Sequence, residues 1–342
     1  MVVSQESIPA TRQREQSVDT VRGIAITLLV LFHVVGFADT GLRLPDDHPV
    51  REFNALLIYV RMPLFTILSG YVYALRPFRG DVRGFVTGKA RRLLIPMVVV
   101  GTLFALAQTF APGTNDDVLA DGGWRTLHIE PVAHFWFLEA LFWVFLVVML
   151  LEMAGSLDSV RRAAVVVVIG GTVSALVLPP TILGVRGAVY LFPFFVFGLA
   201  LKRFELTTRE RRRLDIGVPI AIVSLAICFV AVLDDDLVLF SRRSIPSLIA
   251  GCSAGYVLLA ARFSNRWLAQ IGVFSYTIYL LHTFGTSATR IALDRIGLDV
   301  LALQLIAGLA VGLTAPIAVD LLIRRWAWAR LLILGRTRTA LP

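Results

Sequence analysis

Long apolar runs alternate with short polar stretches along the whole chain. Residues 20–35, TVRGIAITLLVLFHVV, are typical in length and unusual in carrying an arginine near one end and a histidine near the other. Runs of about 17 to 25 apolar residues can cross a hydrocarbon core roughly 30 Å thick as helices, and the ten-residue alternation of a membrane barrel is absent. The pattern predicts an all-α bundle of ten spans: 21–38, 53–75, 93–111, 133–151, 163–179, 187–201, 215–233, 245–261, 271–289 and 301–323. The sixth is the shortest. Small residues at Gly251 and Gly255, and at Gly308 and Gly312, give two spans faces suited to close helix packing. The first and second five spans show no self-similarity of the kind an inverted-repeat carrier would have.

Composition turns this pattern into a class. Of 342 residues, 57% are hydrophobic and 17% charged, and the mean hydropathy is +0.76, outside the range of soluble domains. One membrane domain is expected over 18–325, between a polar segment at 1–17 and a basic tail at 326–342, and no loop is long enough for a separate enzyme. Six Lys/Arg lie between Arg76 and Arg92, six between Lys202 and Arg213, and five after residue 323. The alternate loops are acidic, with Asp39, Asp46, Asp47 and Glu52, then Asp116, Asp117, Asp121 and Glu130, then Asp234, Asp235 and Asp236. Basic loops stay in the cytoplasm, so both termini are expected there.

The net charge of +9 is explained by those loops, so nucleic acid is not an expected partner. Cys228 and Cys252 fall inside spans and read as small apolar residues. Arg12 and Arg14 before an apolar run, with Gly36-Phe37-Ala38 after it, resemble a secretory signal; the run is long for one, so a retained first helix is expected.

Ionisable side chains inside spans cost about 2.5 kcal/mol or more, so each needs a reason. They are Arg22, His33, Arg61, Glu139, His282 and Asp320. Eleven residues of helix bring Arg22 and His33 within about 20° of one face, about 16 Å apart along the axis. Arg22 alone reads as a snorkelling anchor; His33 cannot snorkel as easily. Counting depth from the loops puts His33, Arg61, Glu139 and His282, from four spans, in one outer-half zone, with His134 at the interface above Glu139. Any one of them could be a hydrogen-bonded packing residue; four at matching depth suggest a water-filled polar cavity. Asp320 reads as a surface ion pair with Arg324. At the cytoplasmic mouth Arg76, Arg79, Arg83, Lys89, Arg91 and Arg92 satisfy the topology rule and would also grip phosphate.

Several stretches in order, VDTVRGIAITLLVLFH, MPLFTILSGYVYALRP, KARRLLIP, HFWFLEALFW, YLFPFFVFGLAL and FSYTIYLLH, are similar to the membrane acyltransferase-3 family over residues 17 to about 325. These are bacterial integral-membrane O-acyltransferases that modify envelope and exported carbohydrates. The resemblance implies a ten-helix bundle in the cytoplasmic membrane that takes an acyl group, commonly acetyl from cytosolic acetyl-CoA, and delivers it to a sugar hydroxyl or glycolipid on the far side. Arg22 and His33 match the family's Arg-x10-His pair. Lys89 and Arg92 match a basic pair more often made of two arginines. The MPLF and SGY pattern resembles the branch acetylating fucose and related sugars, where a histidine often stands in place of Arg61.

The roles expected are Arg22, Lys89, Arg91 and Arg92 on the phosphates of acyl-CoA, His33 as general base or acyl-accepting nucleophile, and Arg61 facing the oxyanion. Glu139 would orient a histidine or bind acceptor hydroxyls, and His282 is a second acid/base candidate. The five histidines show no H-E-x-x-H spacing, so no metal is implied. A transporter or flippase for a sugar, lipid or small anion would use the same groups as a path.

Overall fold

The computed structural model describes residues 10–37, 40–45, 47–111, 113, 119–233 and 242–337, with the side chains of 10–15 and 120–122 excepted. Asp39, Asp46, Asp116, Asp117, Asp234, Asp235, Asp236 and Arg338 lie outside the described residues, as do Ala38 and the side chains of Arg12, Arg14 and Asp121. The described chain is helical: α1 (Ala10–Val35), α2 (Pro49–Leu56), α3 (Ile58–Tyr73), α4 (Val82–Phe110), α5 (Trp136–Met153), α6 (Val160–Leu176), α7 (Val185–Arg203), α8 (Leu214–Leu233), α9 (Ile245–Ala261), α10 (Arg266–Val273), α11 (Ser275–Arg295), α12 (Leu301–Ile323) and α13 (Ala327–Leu334).

Seven stretches among the described residues are long and apolar enough to cross a membrane: Gln16–Val35, Pro49–Tyr73, Val82–Phe110, Ala133–Met153, Ile182–Arg203, Leu214–Leu233 and Leu301–Ile323. The other three expected spans form helices too. α6 and α9 have 17 residues each, and α11 mixes hydroxyl, histidine and charged positions into its length.

Two expected spans are each divided into two helices. The second divides at Leu57 into α2 and α3, and its start is fixed by Pro49 in the first turn and by the His48 ring accepting from Val50 N (3.2 Å). The ninth divides at Phe274 into α10 and α11. At the start of α10 Asn265 caps the helix, its side-chain oxygen accepting from Trp267 N and Leu268 N (both 3.0 Å), while Thr20 Oγ1 of α1 accepts from Asn265 N (3.1 Å). α1 stops at Gly36, whose φ of +73° admits no ordinary side chain; Leu42 N then bonds Val35 O (3.1 Å), so His33 stands in the last turn of its helix.

Helices α1, α3, α5 and α7 make the centre. Their lining includes Ile26, Leu64, Leu138, Phe194 and Phe195, all nearly inaccessible, whereas α8 and α12 leave Ile222, Val230 and Ile306 more than half exposed. In lipid such exposure costs nothing, and packing rather than hydrophobic burial joins the helices. α3 and α7 meet backbone to backbone. A methyl added to Gly70 would lie 1.9 Å from Phe195 O, and one on Gly198 2.0 Å from Ile67 O. Glu152 of α5 and Arg203 of α7 add a bidentate ion pair (2.5 and 3.0 Å). The residues read as a basic tail are partly built in, because α13 packs on α4.

Gly70→Ala or Gly198→Ala should therefore force α3 and α7 apart and cost about 1–3 kcal/mol. Gly88→Ala, with nothing within 4 Å of its added methyl, should be neutral or slightly stabilising. Thermal unfolding of the purified protein in detergent, followed by tryptophan fluorescence, checks this: equal melting temperatures for all three would contradict the close packing.

Candidate active site

The end of α1 opens on a cavity of about 860 Å³, walled by α1, α3, α4, the turn before α5, and α11. Three histidines from distant parts of the chain meet at its inner wall. His33 comes from α1, His282 from α11, and His134 from the short 3-10 turn Ala133–Phe135. Ring centroids are 4.7 Å apart for His33 and His282, 4.9 Å for His134 and His282, and 5.5 Å for His33 and His134.

Hydrogen-bond partners fix the tautomers. His282 Nδ1 lies 2.9 Å from the carbonyl oxygens of both Ile278 and Tyr279, which only accept, so Nδ1 carries the proton. Neutral His282 then offers a lone pair at Nε2. That atom faces His33 Nδ1 at 3.1 Å, so His33 donates, sharing its proton with Leu29 O at 3.1 Å. The second nitrogen of His33, Nε2, is left with its lone pair and no hydrogen-bond partner among the described residues, on a side chain that lines the cavity. A neutral imidazole oriented by a second imidazole is a base ready for use.

His134 is held from both sides by Tyr279. Its Nε2–H donates to Tyr279 O (3.1 Å), and Tyr279 Oη donates back to His134 O (2.5 Å). The lone pair of His134 Nδ1 is buried and has no partner among the described residues. Depth counting places His134 at the interface; the ring is 7% exposed, packed inside the bundle, and Ala133 before it takes a φ of +43°.

Arg61 also lines the cavity and is 1% exposed. Its guanidinium lies over the Phe32 ring at 3.8 Å and donates to Asn54 Oδ1 (3.2 Å), Leu28 O (3.4 Å) and Asn54 O (3.5 Å). The break at Leu57 makes this possible, since it keeps α2 beside α1 with Asn54 Nδ2 donating to Gly36 O (3.5 Å).

Glu139 is not with this group. It is buried, but its carboxylate lies beside the Ile182–Gly184 turn, where a methyl on Gly184 would sit 3.1 Å from Oε2, and it does not line the cavity. Five helical positions separate its direction from that of His134 by roughly 140°.

The candidate donor residues lie toward the other ends of their helices. Arg22 pairs with Asp19 (2.7 Å). The Lys89 ammonium sits in an aromatic box, 3.6 Å from the Phe145 ring centroid, 5.2 Å from Phe85 and 5.6 Å from Tyr73. Arg91 is exposed. Arg92 stacks on Tyr276 at 4.8 Å, and Tyr276 Oη donates to Arg92 O.

Next to Arg92 is a polar centre that sequence reasoning places wrongly. Asp320 is no surface residue: it is 1% exposed and accepts from Thr277 Oγ1 (2.5 Å) and Arg324 Nε (3.0 Å), with Arg336 at 4.0 Å. Thr277 and His282 are five residues apart on α11, about 7.5 Å along the axis. One helix thus links the Arg92 region to the histidines. The HFWFLEALFW and FSYTIYLLH stretches contain His134, which the sequence places near Glu139 without a role, and Tyr279, which no sequence signal sets apart. The three histidines bond to carbonyls and to one another, and among the described residues no group of three His, Cys, Asp or Glu is arranged to hold an ion.

Comparison with known proteins fits this arrangement. The family model described as an acyltransferase domain matches residues 15–322. The chain is 26% identical over 196 residues to nodulation protein NolL of Mesorhizobium japonicum, covering 56% of this chain and 49% of that one. It is 29% identical over 185 residues to nodulation protein NolL of Sinorhizobium fredii, covering 54% and 48%. The chain therefore spans about half the length of these curated relatives. No solved structure matches it significantly. With nine-tenths of its length inside the match, the chain belongs to the acyltransferase-3 family.

Proposed function

We propose that the protein is an integral-membrane O-acyltransferase that moves an acyl group, most simply acetyl, from cytosolic acyl-CoA to a hydroxyl of an envelope or exported carbohydrate. The observation that carries the reading is the free lone pair of His33 Nε2, facing a cavity of substrate size with its other nitrogen held by His282. Ten spans, with both termini in the cytoplasm of a bacterial inner membrane, would put this cavity toward the outside and Arg22, Lys89, Arg91 and Arg92 toward the acyl-CoA pool. The basic-loop pattern supports that orientation.

In this mechanism the acceptor hydroxyl enters from the cavity and gives its proton to His33 Nε2 as its oxygen attacks the thioester carbonyl. The guanidinium of Arg61 stabilises the oxyanion. Collapse expels the thiolate, which recovers the proton from His33. His282 acts through His33 by accepting the Nδ1 proton, and the positive charge that forms on His33 is spread along this hydrogen bond. His134 and Tyr279 hold His282 in register. The same geometry would serve transfer by way of an acyl group on His33 Nε2. Glu139, outside the cavity wall, has a positioning role in the α5 to α7 contact rather than contact with acceptor. The aromatic box keeps the Lys89 cation near the membrane boundary, where a phosphate can approach it.

His33→Ala should lower acyl transfer by about 10²–10⁴-fold in protein that remains folded in the membrane. Purified wild type and variant, compared in liposomes with labelled acetyl-CoA and envelope glycolipid extract, provide the test; full activity without His33 would refute the mechanism.

Glu139→Gln should retain most of the wild-type rate, whereas His282→Ala, which removes the orienting acceptor, should lower kcat with little change in either KM. Arg22→Ala and Arg92→Ala should instead raise the KM for acyl-CoA more than they lower kcat. Steady-state kinetics with each substrate varied separates these outcomes, and a kcat defect confined to the arginine variants would reverse the assignment.

A further inference from the structure

The cavity beside His33 has a charge imbalance that acyl transfer to a neutral sugar does not require. Its charged lining residues, among those described, are Arg61, Arg242 and Arg295, and no aspartate or glutamate lines it. Arg22, Arg162, Arg203, Arg213, Arg290 and Arg324, outside this cavity, each have a carboxylate within ion-pair distance. Arg61, Arg242 and Arg295 have none among the described residues. Arg61 is buried with only neutral acceptors and a ring about it. Arg242, just before α9, and Arg295, at the end of α11, are exposed at the cavity wall.

Topology does not account for them. Arg242 and Arg295 fall in loops of the set that alternates with the basic loops, where the positive-inside rule asks for no arginine. Nor does the reaction, since a single transient oxyanion needs one cation and not three. The buried Arg61 guanidinium without a counter-charge is costly until an anion arrives, and three guanidinium groups around one cavity raise the local concentration of anions. The guanidinium fork matches a carboxylate or a phosphate.

We propose that the acceptor is an anionic carbohydrate, whose carboxylate or phosphate seats on Arg242 and Arg295 while a neighbouring hydroxyl reaches His33. This rests on the acyl-transfer reading of the cavity. The anion fixes which hydroxyl is presented, so Arg242 and Arg295 determine specificity without touching the reacting atoms. Arg61 lies deeper and faces the transfer step.

The test uses the full chain purified in detergent and three probes: methyl glucuronide, glucose 1-phosphate and methyl glucoside. Isothermal titration of wild type should show at least one anionic probe binding about tenfold tighter or more than the neutral glucoside, as a charge-assisted contact provides, with the preference shrinking as salt rises. The carboxylate and phosphate arms identify which anion is recognised. Arg242→Gln/Arg295→Gln should remove most of that preference and leave glucoside binding unchanged, while Arg242→Lys/Arg295→Lys, which keeps the charges, should retain part of it. Equal binding of anionic and neutral probes, no binding of either anion, or full preference in the glutamine variant would overturn the proposal. Acyl transfer measured in parallel separates the two readings: anion preference without any transfer sinks the enzyme assignment alone, and transfer to a neutral acceptor with no anion preference sinks this inference alone.

Discussion

A polar side chain among lipid tails has no water to turn to, so every such group must be satisfied by another part of the protein or face an aqueous cavity. This constraint assembles the site. Tyr279 O accepts from both His134 and His282, Tyr279 Oη returns a bond to His134 O, and His282 accepts from His33. Three of these four contacts tie α11 to α1 and to the turn before α5, and the fourth lies within α11. Each bond is worth about 0.5–1.5 kcal/mol net, but leaving one partner buried and unsatisfied costs about 1–3 kcal/mol. The network therefore holds its members in one tautomer and one orientation. That is also what a catalytic base requires.

The same constraint explains the break at Leu57, where α2 keeps Asn54 between Gly36 O and Arg61. There a local loss of helix regularity is exchanged for polar satisfaction inside the bundle. The start of α10 is satisfied likewise, by the Asn265 cap and its bond to Thr20. At the other end Asp320 does the corresponding work for Thr277, Arg324 and Arg336. α11 carries both polar stations on one rigid element, so the geometry of the histidines depends on how the Asp320 end is packed.

What the sequence by itself determined is local in origin: the helical membrane class, the approximate extent of each helix, and the family. Apolar run length and the cost of a charge in lipid depend on a segment and its neighbours in the chain, so they can be read one span at a time. Depth counting put His33, Arg61, Glu139 and His282 in one zone, and the structure has three of them, without Glu139, on or directly behind one cavity wall.

Rotation about each helix axis, the breaks, and the burial of His134 depend on contacts between segments far apart in sequence, and only the tertiary structure decided them. Glu139 shares the depth of the histidines but points to the turn at Gly184, whereas His134, five residues earlier, turns in. Asp320 resembles a surface ion pair at i,i+4 and is buried because α11 and the chain after α13 close over it. Leu29 O on α1 already calls for the proton on His33 Nδ1, but the second acceptor that orients the ring, Nε2 of His282 at 3.1 Å, is brought there only by α11. A hydrogen bond across 249 positions of chain leaves no periodicity in either segment, and for that reason the pairing of the two histidines belongs to the fold.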